Sequence, residues 1–198
     1  MEEADRPYVS RGALKLAHAL EVFAIDPSGR VCADLGCSTG GFTDVLLRRG
    51  AAKVYAVDTG FGVLDWRLRN DPRVVVMERT SAMHVALPEP ASLVTIDAGW
   101  TRQEKILPNV RAMLGERGEV ITLIKPHYES DSAALRKSRG VLPAQRLAEV
   151  MAHVRQEIAR CGFQVVAETQ SPIRGSGPRG NIEVLAHLRA VAAMQEMP

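Results

Sequence analysis

The residues best placed to do chemistry lie in Asp34-Leu35-Gly36-Cys37-Ser38-Thr39-Gly40-Gly41-Phe42-Thr43. The run follows a short apolar segment and leads into a helical pattern. Its glycines fall as G-x-x-x-G-G rather than the G-x-G-x-x-G of dinucleotide enzymes. A dinucleotide needs a helix N-terminus for its pyrophosphate. S-adenosylmethionine has no phosphate, and its aminoacyl end needs a small-residue loop that brings backbone groups close. Gly36, Cys37, Ser38, Gly40, Gly41 and Phe42 supply such a loop, and Asp34 is an acid for the ammonium, directly or through water. Asp58, at the end of the next apolar run, is placed to accept hydrogen bonds from both ribose hydroxyls. The plain alternative is a generic strand–turn–helix with a capping acid; a nicotinamide enzyme fits less well because the glycine spacing differs.

The elements that must carry these residues follow from periodicity. Ser10 is expected to cap a helix reaching Phe23, with Ala13, Leu14, Ala17 and Leu20 on one face. Strands are expected over Val31–Leu35, Lys53–Asp58, Val74–Glu78, Leu93–Asp97 and Glu119–Lys125. Helices are expected from Gly40-Gly41 to Arg49, from Thr101 to Leu114 with Pro108 inside, and from Pro143 to Arg160. Two last strands, Phe163–Glu168 and Ile182–Leu188, flank a glycine-rich loop over Ser171–Gly180 and have no helix between them. They should therefore be antiparallel. Alternating strands and helices imply a doubly wound α/β fold, with ligands at the carboxyl ends of the strands.

The 198 residues suit one domain, with residues 1–8 and 190–198 as its flexible ends. Hydrophobic residues make up 46% and charged residues 24%, which excludes a disordered chain. Net charge is only +2, so nucleic-acid binding would depend on local patches. Five of the 25 basic residues are lysines; the arginine excess suits phosphate, or reflects composition bias. Three cysteines without C-x-x-C spacing, and His18, His84, His153 and His187 without ligand spacing, give no metal site. Reduced cysteines, a polar start and no long apolar run fit a cytoplasmic protein outside the membrane.

Six segments, in order, resemble the methyltransferase domain of TlyA-type proteins: Val9-Ser10-Arg11-Gly12-Ala13-Leu14-Lys15-Leu16, the Ser38–Leu47 run, Val54–Asp58, Leu68–Val74, Leu123-Ile124-Lys125-Pro126 and Gly180-Asn181-Ile182-Glu183. The likeness spans residues 9 to 189. It implies a Rossmann-like class I methyltransferase with a mostly parallel seven-stranded sheet and an antiparallel last strand, using S-adenosyl-L-methionine. It also implies 2′-O-methylation of ribose in RNA of the ribosomal type, the chemistry of the wider FtsJ-type group. That group uses a Lys-Asp-Lys-Glu tetrad, which by motif falls on Lys15, Asp97, Lys125 and Glu183. The residue reading agrees, since three of the four belong at the ligand edge of the sheet and Lys15 on the preceding helix. Taken singly, Lys15 reads as a solvated helix residue and Glu183 as a paired strand charge. Lys125, between apolar neighbours, must meet a partner. It is expected to deprotonate or steer the attacking hydroxyl, with Asp97 facing the cofactor's sulfonium and Glu183 orienting a lysine.

The chain departs from the resemblance in three places. The small N-terminal RNA-binding module of TlyA-type proteins has no counterpart before residue 9, so a protein partner replacing it is one expectation. Thr80-Ser81 stands where the family has Asn-x-Arg near the adenine, and Ala98-Gly99-Trp100 where it has Ser-Phe-Ile. Ser81 can still meet the adenine amine, and Trp100 can stack on a base or join the core. RNA phosphates are expected at Arg6, Arg11, Arg136, Lys137, Arg139, Arg174 and Arg179, unless these form an ordinary solvated surface. A small-molecule methyltransferase, a cofactor- or RNA-binding protein without turnover, and a membrane-active haemolysin are the competing readings.

Overall fold

The computed structural model describes residues 8–99, 101–130, 142–175 and 180–191. Their strands form one seven-stranded sheet in the order β3-β2-β1-β4-β5-β7-β6. These are β1 (Val31–Leu35), β2 (Lys53–Val57), β3 (Val74–Met77), β4 (Ala91–Ile96), β5 (Leu114–Ile124), β6 (Phe163–Gln170) and β7 (Val184–Ala190). The β1–β2, β1–β4, β2–β3 and β4–β5 pairs are parallel. β7 runs antiparallel to both β5 and β6. This is the Rossmann-like methyltransferase arrangement expected from the sequence.

The helices are α1 (Ala13–Val22), α2 (Gly41–Arg48), α3 (Trp66–Arg69), α4 (Gln103–Met113), α5 (Pro126–Glu129) and α6 (Ala144–Arg160). The strands read as near-continuous apolar runs because both sheet faces are covered. Alternate residues serve alternate faces. Cys32, Val54, Ala56, Leu93 and Ile121 join α1 and α2 in one core. Ala33, Tyr55, Val57, Val94 and Val120 join α4 and α6 in the other.

Several expectations are corrected. Ser10 does not cap α1, whose N-cap is Gly12 with no side-chain hydrogen bond; Ser10 sits against Gly41 instead. The buried face of α1 is Ala13, Leu16, Ala19 and Leu20, and Leu14 is 46% exposed. Apolar residues occur nearly all round this helix, so spacing alone admitted two faces. β4 begins two residues before Leu93. β5 begins at Leu114, directly after α4, with Leu114 opposite Ala91 and then a register shift to Leu93 opposite Glu119. The intervening Gly115-Glu116-Arg117-Gly118 has low strand propensity, which hid this start. The four-residue helices α3 and α5 are too short to show a period. Arg48 lies over the Tyr8 ring, and Ala190 is the last residue of β7.

Candidate active site

The strand ends and the first residues after them surround a cavity of about 660 Å³. That size suits a drug-sized ligand. Its floor is the β1–α2 turn. Gly40 has φ 97°, a left-handed conformation open to glycine at little cost, and packs on Leu64 and Leu68 beneath the cavity rather than lining it. Gly41 lines the cavity, and a Cβ there would come within 2.9 Å of the Ala13 backbone nitrogen and would also strike Ser10 Oγ. The glycine therefore lets α1 lie against the start of α2. Gly36, Cys37, Ser38 and Phe42 line the same floor. Burial pushes the Cys37 thiol up, so it stays neutral. Ser38 has φ 49°, a left-handed conformation rare outside glycine. Its N–H donates to Asp58 Oδ2 at 2.8 Å, while the Gly60 N–H donates to Oδ1 at 2.7 Å. Asp58 is thus aimed along the cavity wall by backbone donors, with lone pairs left for a ligand.

Asp34 borders the cavity but is fully buried. Thr43 Oγ1 donates to its Oδ2 at 2.7 Å, and Thr95 Oγ1 to its Oδ1 at 3.2 Å. Desolvation pushes its pKa up to about 7 despite these two donors. Thr80, Ser81 and Met83 line the opposite wall, where the Ser81 hydroxyl accepts the Met83 N–H.

At the other end of the cavity the four scattered charges meet. Lys15 Nζ lies 2.6 Å from Glu183 Oε2 and 4.0 Å from Asp97 Oδ2. Lys125 Nζ lies 2.5 Å from Asp97 Oδ1, an ion pair that lacks the alignment of a hydrogen bond. The order of contact is Glu183–Lys15–Asp97–Lys125. Asp97 and Lys125 follow β4 and β5 by one residue each, and Glu183 precedes the antiparallel β7 by one, which puts all three at one edge of the sheet. Lys15 comes down from α1 and is buried, so it is no solvated helix residue. Lys15 and Asp97 line the cavity, and Lys125 and Glu183 join them by ion pairs.

Of the proposed phosphate ligands, Arg11 and Arg174 sit at the cavity mouth. Arg6, Arg136, Lys137, Arg139 and Arg179, and also Trp100, lie outside the described residues. Sequence reasoning missed Thr59, Ile106 and Ile173 in the lining. It also missed a buried trio, Gln103, Thr122 and Glu129, linked by hydrogen bonds through Gln103. None of the trio carries a motif, so only packing shows them.

The cavity fits S-adenosyl-L-methionine. It has a glycine turn that admits close backbone approach, an acid at the end of β2 and a polar wall at Thr80-Ser81. The model of the FtsJ-like methyltransferase family matches residues 8–190. The chain is 40% identical over 190 residues to the 16S/23S rRNA (cytidine-2′-O)-methyltransferase TlyA of Mycobacterium tuberculosis, covering 94% of this chain and 70% of that protein. It is also 40% identical to Hemolysin A of Brachyspira hyodysenteriae, over 91% and 76% of the two chains. A solved structure from Lactococcus lactis that carries a hemolysin name superposes with a TM-score of 0.85 at 38% identity, over 95% of this chain and 93% of that one. Among the described residues, no helix is long and apolar enough to cross a membrane. The fold, the cavity and these likenesses agree that the chain belongs to the FtsJ-like methyltransferase family and is an S-adenosyl-L-methionine-dependent methyltransferase.

Proposed function

We propose that the chain methylates a ribose 2′-hydroxyl in RNA of the ribosomal type. One observation carries the reading: Lys15, Asp97, Lys125 and Glu183 form a continuous line of charge contacts at the end of the cofactor cavity. The rRNA (cytidine-2′-O)-methyltransferase name of the M. tuberculosis relative supports the substrate class.

When bound, the cofactor supplies an electrophilic methyl group on a sulfonium. Gly36, Ser38, Gly41 and Phe42 would hold its aminoacyl end, Asp58 its ribose, and Ser81 its adenine. Asp34 acts from beneath the floor and shapes it. In-line displacement demands that the hydroxyl oxygen be aimed at the methyl carbon, and alignment of this kind supplies much of a rate enhancement. Lys125 steers the attacking hydroxyl with an ammonium N–H, and the proton that this oxygen loses as it bonds the methyl carbon passes to the Asp97 carboxylate, 2.5 Å from Lys125 Nζ. Glu183 holds Lys15, and Lys15 places a second cation beside Asp97, so the carboxylate is fixed between two ammonium groups. Arg11 and Arg174, at the mouth, meet RNA phosphates, whose binding is salt-dependent.

The test is transfer of labelled methyl to ribosomal RNA followed by nucleoside analysis. Lys125→Ala should reduce transfer by at least about a hundredfold while S-adenosylhomocysteine still binds, as expected when an interaction made in the transition state is lost. Label on a base, or near-normal turnover by Lys125→Ala, would reject the proposal.

A further inference from the structure

Glu129 is a buried carboxylate with no part in the transfer chemistry proposed above. It ends α5, four residues after Lys125. Its Oε1 accepts the backbone N–H of Gln103, the first residue of α4, at 3.2 Å. Gln103 is itself buried, and its side-chain oxygen accepts the Thr122 hydroxyl at 2.8 Å. Thr122 lies on β5, three residues before Lys125. Beside this pair, Arg102 Nη2 donates to the Ser130 carbonyl at 3.3 Å. The start of α4 is therefore tied to the chain on both sides of Lys125, to β5 before it and to α5 after it.

The chemistry suits the position. Arg102, the N-cap of α4, offers no side-chain hydrogen bond to the helix. The first N–H groups of a helix have no partner within it and carry partial positive charge. A carboxylate reaching in from α5 satisfies one of them. Burial pushes the Glu129 pKa up to about 7, against the pull of the Gln103 N–H and of Arg102. An ionisable group is thus kept at a cost where a neutral acceptor would also fit.

α4 then runs along the cavity. Ile106 lines it, and the Asn109 side-chain amide donates to the carbonyls of Ala82 and Val85 at 3.0 and 2.9 Å. Those carbonyls belong to the segment that carries Ser81 and Met83. One helix thereby spans from the Lys125 end of the site to the adenine wall.

We infer that Glu129 is a positioning residue for methyl transfer, which through the start of α4 fixes Lys125 relative to the cofactor cavity. The inference rests on the assignment of Lys125 to the attacking hydroxyl. Glu129 is buried and lies outside the cavity lining, so its removal should lower the rate of transfer and leave cofactor binding in place.

The experiment compares Glu129→Ala, Glu129→Gln, Thr122→Val and Lys125→Ala with the parent enzyme. It measures single-turnover labelled-methyl transfer to ribosomal RNA, RNA KM, and S-adenosylhomocysteine binding by calorimetry. Displacement of a steering group by a fraction of an ångström to one ångström costs roughly tenfold to a hundredfold, so Glu129→Ala should lose about tenfold or more in rate. Its KM and its affinity for S-adenosylhomocysteine should stay within about threefold of the parent enzyme. Glu129→Gln keeps an acceptor oxygen for Gln103 and should recover most of the rate. Thr122→Val cuts the tie on the other side of Lys125, and should show the same split if Glu129→Ala does not fold. Parental rates in both Glu129→Ala and Thr122→Val would overturn the inference, as would rate losses matched by equal losses in cofactor affinity. If Lys125→Ala itself keeps turnover, the Lys125 assignment falls first. If Lys125→Ala is inactive while the other variants are unimpaired, only the role of Glu129 falls.

Discussion

Asp34 shows how a single buried acid sets a pH dependence. Its pKa is about 7 in the folded chain against an ordinary 3.8, because desolvation outweighs the hydroxyls of Thr43 and Thr95. The raised value means that the fold favours the protonated form. Its contribution to stability is therefore full below about pH 4 and is lost as pH rises through 7. Asp34→Asn removes the titration while its amide and carbonyl can still pair with the two hydroxyls. Relative to Asp34→Asn, the parent protein should lose up to about 4 kcal/mol of unfolding free energy between pH 4 and 8, since each tenfold change in proton affinity is worth about 1.4 kcal/mol. Urea unfolding at a series of pH values reads this directly, and parallel curves for the two proteins would show that Asp34 is not the titrating group. At this scale, the Asp34–Thr43 run and Asp58 were legible in the sequence because their types and spacing have a chemical meaning. Lys15 and Glu183 were legible only through resemblance. Singly, each is an ordinary surface charge, and nothing in local spacing says that residues 168 apart will meet. Glu129 was not legible at all, since neither it nor its partner Gln103 belongs to a motif and only packing brings them together.

The elements position the site mainly through close approach. α1 lies against the start of α2 because position 41 has no side chain, and α1 carries Lys15. In Gly41→Ala, the new methyl would meet the Ala13 backbone, which cannot swing aside as a side-chain end can. That overpacking should cost roughly 1–3 kcal/mol, visible as a lower Tm. It should also weaken S-adenosylhomocysteine binding, because the same residue lines the cavity. An unchanged Tm and affinity would mean that the α1–α2 contact is looser than described. Periodicity recovered the order of the larger elements well, because strands covered on both faces are plain apolar runs. It failed for the inward face of α1, where Leu14 and Leu16 are equally apolar and only packing separates them. It failed again for the start of β5, where only Leu114 pairs with β4 before a register shift passes over residues 115–118 to Glu119.

At the scale of the whole molecule, the described strands form one sheet whose last strand, β7, is inserted between β5 and β6. Among the described strands, β6 pairs with β7 alone. A chain ended at residue 175 would lack Glu183 and β7, leaving the apolar β5 stretch Val120–Ile124 as an open edge of the kind that templates aggregation. Such a truncated chain should sediment as aggregate and bind no S-adenosylhomocysteine; a monomeric truncated chain that binds it normally would show that β7 is dispensable for closing the sheet. The insertion also orders events during synthesis. Lys15, Asp97 and Lys125 are already made while the segment that completes their charge line is still to be translated. On the proposed chemistry the chain should therefore stay inactive until β7 docks, the same step that covers the β5 edge.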